Sequence, residues 1–158
     1  MIKLANFFVS LSFTGYIKII PPGTFASFLS IVILFPIVEY KIISLEIFVV
    51  IFFVIFLLSL FFINKFSSHN QSHDSKIIVI DEFLGIYLIL LFYDQIKIIN
   101  PYVTMMLIFI LFRFFDILKI FPANIIDKRL KSAFGVILDD LIAGLYTIII
   151  LYIVNAYY

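Results

Sequence analysis

The run from Leu45 to Asn64 carries a single charge, Glu46, and is otherwise almost wholly Ile, Phe, Val and Leu. As a helix it would be about 30 Å long, the thickness of bilayer hydrocarbon. Four further apolar runs read as spans, Gly23 to Tyr40, Ile77 to Tyr93, Pro101 to Lys119 and Phe134 to Tyr157, the first and third of them short. Apolar residues make up 65% of the 158-residue chain and charged residues 13%, about half the share usual in soluble domains. The expected fold is all-α, a polytopic membrane bundle of about five apolar helices filling residues 1–158 as one domain.

Leu4 to Tyr16 is apolar but too short to cross, and reads as an interfacial or re-entrant helix closed by Gly15. A secretory leader is the competing reading. Lys18, Pro21 and Pro22 follow instead of a small-residue cleavage site, which argues against it. Composition excludes several classes. Cysteine is absent, so neither a disulfide scaffold nor a thiolate zinc site is available, and a net charge of +1 does not suit nucleic acid.

Basic residues orient the spans. Lys3, Lys18, Lys65, Lys76, Lys119, Lys128, Arg129 and Lys131 fall on one face, against Lys41 and Lys97 on the other. The richer face is expected to be cytoplasmic, with the N-terminus inside and the C-terminus outside. Ser67 to Lys76 reads as a solvated loop. His69 and His73 within it lack a third ligand and make no metal site.

Charges within apolar runs are the informative residues, because burying them is costly. Asp81 and Glu82 occur in IDEFLG, Arg113, Asp116 and Lys119 in FRFFDILK, and Asp139 and Asp140 in GVILDDLIAG. The third and fifth spans start on the basic face and the fourth ends there, so the three clusters share one end of the bundle. Five acids against two bases leave an excess of negative charge, which would take up protons or bind cations. Oxygen ligands without His or Cys favour a hard ion, Mg²⁺ before Ca²⁺ or Mn²⁺, on Asp81, Glu82, Asp116, Asp139 and Asp140. Arg113 and Lys119 beside such an ion suit a ligand bringing its own negative charge, with phosphate foremost. On the same face PPGTFAS offers Gly23, Thr24 and Ser27, with Thr24 expected to cap the helix start facing the phosphate. Gly85 and Gly144 are expected to let helices pack closely.

PPGTFAS, IDEFLG, FRFFDILK and GVILDDLIAG, in that order from Pro21 to Gly144, resemble the motifs of the phosphatidylglycerophosphatase A family, bacterial inner-membrane enzymes. The resemblance implies Mg²⁺-dependent hydrolysis of the phosphate monoester of phosphatidylglycerophosphate, a phospholipid partner embedded in the membrane. It puts catalysis on Asp81, Glu82, Arg113, Asp116, Asp139 and Asp140, at the cytoplasmic face. Substrate phosphate would meet Gly23, Thr24, Ser27, Arg113 and Lys119. Three local departures stand out: Lys119-Ile120-Phe121-Pro122 replaces a Lys-Pro-x-Pro run, Lys131 to Phe134 replaces a Gly-rich lead-in, and Ala26 replaces a Gly. Other phosphatase chemistries lack their residues here: there is no Cys, no Asp-x-Asp pair and no His within a span, and the Asp-Gly-Ala-Arg pattern of CDP-alcohol phosphotransferases is missing. The alternative from another class is a cation transporter or channel subunit using the same intramembrane acids. That role calls for polar groups in the far halves of the spans, which are almost wholly apolar.

Overall fold

The computed structural model describes residues 2–17, 19–70, 75–98 and 100–157; Lys18 and His73 lie outside the described residues, as does the side chain of Lys128. Helices account for all the regular structure described: α1 (Ile2–Val9), α2 (Pro22–Glu39), α3 (Leu45–Asn70), α4 (Ile80–Leu91), α5 (Tyr93–Ile96), α6 (Pro101–Leu118), α7 (Ala123–Arg129) and α8 (Ala133–Tyr157), with a short 3-10 turn at Thr14–Tyr16 between α1 and α2. Four of them, α2, α3, α6 and α8, are long and apolar enough to cross a membrane. This is a helical membrane bundle.

The third apolar run differs from the others. Its helix, α4, has 12 residues, about 18 Å of rise and too little to cross alone. It is instead the central rod of the bundle: Leu84, Ile86, Ile89 and Leu90 are almost wholly buried, and it packs on α8, α2 and α3. The one-turn helix α5 follows at the rim.

Two glycines decide how closely α4 approaches α8. A Cβ on Gly144 would lie 3.0 Å from the Gly85 carbonyl oxygen, and one on Gly85 would lie 3.0 Å from the Asp140 carbonyl oxygen and 2.6 Å from Phe112 Cε2. Without a hydrophobic drive between helices in lipid, such backbone contact carries much of the packing. Several buried hydroxyls are satisfied within their own helices. Ser30, Ser59 and Thr147 donate to the carbonyls of Ala26, Ile55 and Ala143. Tyr87 reaches across to the Phe48 carbonyl at 2.9 Å.

Three local expectations change. The N-terminal helix ends at Val9, because Leu11, Ser12 and Phe13 take left-handed φ values of 47°, 58° and 68°. Gly15 therefore does not close that helix; it lies against the Ile77 backbone, where any Cβ would collide with the carbonyl. Helix α3 runs on to Asn70, so Ser67 to Asn70, including His69, is helical and not a loop. Finally, α2 starts at Pro22, whose fixed φ suits the first helical position. Pro21 holds the cap position without a side-chain bond, and Thr24 is the third helical residue and not the cap.

Candidate active site

A cavity of about 470 Å³ opens where the start of α2, the start of α4, the end of α6 and the first turns of α8 meet. Its wall carries Gly23, Asp81, Glu82, Arg113, Asp116, Lys119, Asp139 and Asp140. Each side chain arrives from a different local cause. Asp81 and Glu82 sit in the first turn of α4, where negative charge is favoured by the helix dipole. Asp139 and Asp140 lie well inside α8 and are 7% and 4% exposed, so the helix itself carries them below the rim.

The acids divide into two sets. Oxygens of Asp81, Glu82 and Asp140 all lie within 4.8 Å of one another. Asp116 accepts from Arg113 Nη1 one turn away, and Asp139 Oδ2 accepts from Lys119 Nζ at 2.7 Å. The second pair depends on the end of α6, where Lys119 takes a left-handed φ of 44° as the chain leaves the helix. The inner pair is shielded, with Arg113 and Asp116 side chains 14% and 13% exposed, while in the second pair Asp139 is 8% and Lys119 34% exposed.

Gly23 belongs to the site by its lack of a side chain. A Cβ there would collide with Glu82 Oε1 and stand 3.1 Å from Arg113 Nη1. The other two phosphate candidates stand apart. Thr24 is absent from the cavity wall. Ser27 is fully buried and donates to the Gly23 carbonyl at 2.7 Å, so its hydroxyl is spent on its own helix.

The donor set fits a hard cation. Asp81 Oδ1 and Glu82 Oε2 are buried without a hydrogen-bond partner, an arrangement costly for a bare protein. Carboxylate oxygens with no nitrogen or sulfur ligand are the chemistry of Mg²⁺ or Ca²⁺. Arg113 Nε is also buried without a partner, a donor in reserve beside those acceptors.

Lining residues that sequence reasoning passed over are Pro22, Ser75, Lys76, Ile78, Leu130, Lys131, Gly135 and Val136. Lys76 and Lys131 were legible only as charges setting orientation. Their nearness in sequence to IDEFLG and GVILDD was the available signal.

Fold and site together define a polytopic helical membrane protein with a shielded, carboxylate-lined cavity braced by two basic side chains. The sequence profile of phosphatidylglycerophosphatase A matches residues 7–155, and the chain belongs to that family of phosphatases. It is 30% identical over 134 residues to phosphatidylglycerophosphatase A of Haemophilus influenzae, covering 85% of this chain and 78% of that one. It is also 30% identical over 83 residues to the Escherichia coli protein of the same name, covering 52% of this chain and 46% of the other. No solved structure matches.

Proposed function

We propose that this chain hydrolyses the phosphate monoester of phosphatidylglycerophosphate, releasing phosphatidylglycerol and inorganic phosphate as a step of phospholipid biosynthesis. The whole chain acts as one domain in a bacterial inner membrane with the cavity at the cytoplasmic face, the orientation favoured by its basic residues. One observation carries the reading. A three-carboxylate cluster with buried, unpartnered oxygens shares a cavity with Arg113 and Lys119, each held by its own acid. That combination complements a divalent ion and a phosphoryl group together, and neither alone.

Asp81, Glu82 and Asp140 are the residues that would hold Mg²⁺, with Asp116 and Asp139 beside them. When bound, the ion supplies Lewis acidity toward phosphoryl oxygen and acidifies water. Arg113 and Lys119 neutralise negative charge on the phosphoryl group, in surroundings shielded enough for that to count. Asp116 and Asp139 aim those cations, so little reorganisation is needed as charge develops. Gly23 keeps the wall beside Glu82 and Arg113 open. Ile78, Leu130 and Val136 offer apolar surface on the same wall, suited to the lipid side of the substrate.

At the other end of the bundle Lys41 and Lys97 both pair with Asp94, at 3.7 and 3.1 Å, and Tyr93 donates to Glu39. Polar groups there are matched to each other, which favours the hydrolase over a cation path.

The test is phosphate release from phosphatidylglycerophosphate by the purified protein in neutral detergent, with Mg²⁺ and with chelator. Release that chelator abolishes is expected. Asp81→Asn, Asp116→Asn and Asp140→Asn should each lower turnover at least about a hundredfold, the scale of losing a principal electrostatic group. Absence of release would overturn the activity. Release indifferent to chelator would overturn the metal, and near-normal turnover in all three variants would overturn the site.

A further inference from the structure

Two cations in the cavity wall remain outside the machinery described so far. Lys76 and Lys131 are both exposed at its rim, and among the described residues neither is ion-paired. Yet their backbones are firmly held. Lys76 sits in a turn closed by Ile78 N–H donating to the Ser75 carbonyl at 2.8 Å, and Val79 N–H next ties that segment to the Val9 carbonyl of α1 at 2.9 Å. Gly15 packs on the Ile77 backbone from the same side. Lys131 is the apex of a tight turn closed by Ser132 N–H on the Leu130 carbonyl at 2.8 Å, and that carbonyl in turn lies against Gly135. Two lysines on separate, hydrogen-bonded turns thus border one cavity whose interior cations are engaged by Asp116 and Asp139.

The head group in the reading above carries two phosphates joined by glycerol. With the monoester at Asp81, Glu82 and Asp140, the phosphodiester must lie nearer the rim, between the reacting end and the acyl chains. A second negative charge arriving there needs a cation outside the inner pairs. We propose that Lys76 and Lys131 form a second anion subsite that receives the phosphodiester, so that the cavity selects lipids bearing two phosphates over those bearing one. The proposal rests on the hydrolase reading and deepens it. The lysines are specificity determinants that touch no reacting atom.

The experiment uses the full chain in neutral detergent micelles at fixed ionic strength, where no anionic bilayer surface is present. KM and kcat for phosphatidylglycerophosphate are measured together with the Ki of inorganic phosphate, which has no second phosphate to offer. Lys76→Ala and Lys131→Ala should each raise KM about fivefold, the scale of one solvent-screened charge contact, and the double variant more. The expected kcat and phosphate Ki stay within about twofold of wild type. Lys97→Ala, at the opposite end, serves as the control and moves none of these values.

An unchanged KM in both variants, with wild-type turnover intact, overturns the subsite and leaves the hydrolase reading standing. A phosphate Ki rising in step with KM also overturns it, because the lysines would then merely concentrate anions or support the fold. A KM effect seen in anionic vesicles but not in neutral micelles assigns them to the membrane surface and overturns it likewise. Failure of the wild-type protein to release phosphate at all removes the hydrolase reading and the subsite with it.

Discussion

Replacing Gly85 by Ala tests whether the contact between α4 and α8 sets the catalytic geometry. The added Cβ would meet Phe112 Cε2 and Cζ at 2.6 and 2.7 Å and the Asp140 carbonyl oxygen at 3.0 Å. Phe112 is fully buried, so its ring has no free path away. Overpacking of this kind costs about 1–3 kcal/mol, while Ala in place of Gly returns about 1 kcal/mol of helix propensity. The net loss is about 1 kcal/mol, or roughly 3 °C in Tm for a chain of this size. Activity should suffer more. Asp81 lies one turn before Gly85 on α4, and the clash is with the backbone of Asp140, so any relief separates two members of the carboxylate cluster. A displacement of about 1 Å at such a site can cost about a hundredfold in turnover. Thermal unfolding in detergent and phosphate release would be measured for Gly85→Ala, Phe112→Leu and the double variant. The Leu should recover part of the lost turnover by clearing the ring contacts, a coupling that independent sites would not show. Wild-type turnover in Gly85→Ala, or a deficit the same with and without Phe112→Leu, would refute the reasoning.

Asn100→Ala should lower stability by about 1 kcal/mol, because Asn100 Oδ1 accepts from Tyr102 and Val103 N–H at 2.9 and 3.3 Å and caps α6; kcat should be unaffected, since the change lies at the far end from the cavity. The exposed Asp94 carboxyl is held below its usual range, first by its hydrogen bond to Lys97, which outweighs the opposing effect of burial, and then by the charges of Lys41 and Lys97. A depressed carboxylate pKa stabilises the fold above the unfolded value of about 3.9 and loses that contribution as pH falls through the folded one. The Tm difference between wild type and Asp94→Asn should therefore shrink below about pH 4, and a difference constant from pH 7 to pH 3 would contradict the pairing.

Much of this protein was legible before any coordinates. Long uncharged runs need a solvent other than water, so the helical bundle follows from hydropathy and length. A charge in such a run is costly enough to be informative by itself, which is why Asp81, Arg113, Asp116 and Asp140 stood out one by one. Thr24 does not cap α2, because Pro21 takes that position, and Ser27 bonds its own helix; a hydroxyl near a helix start reads the same in sequence whichever partner it has. Lys76 and Lys131 were overlooked for the opposite reason, since an exposed lysine beside a span is ordinary.

Sequence alone determined that the chain is a bundle of apolar helices and the end at which the charges gather, because both depend on hydropathy and one-dimensional distance along a helix of known rise; the five apolar runs became four long spans. Tertiary packing decided that α4 is a central rod too short to cross, that Gly85 and Gly144 bring it against α8, and that Asp116 and Asp139 hold the cations while Asp81, Glu82 and Asp140 converge. Those outcomes turn on which face each helix presents and how closely two backbones approach, quantities fixed by contacts between residues far apart in the chain.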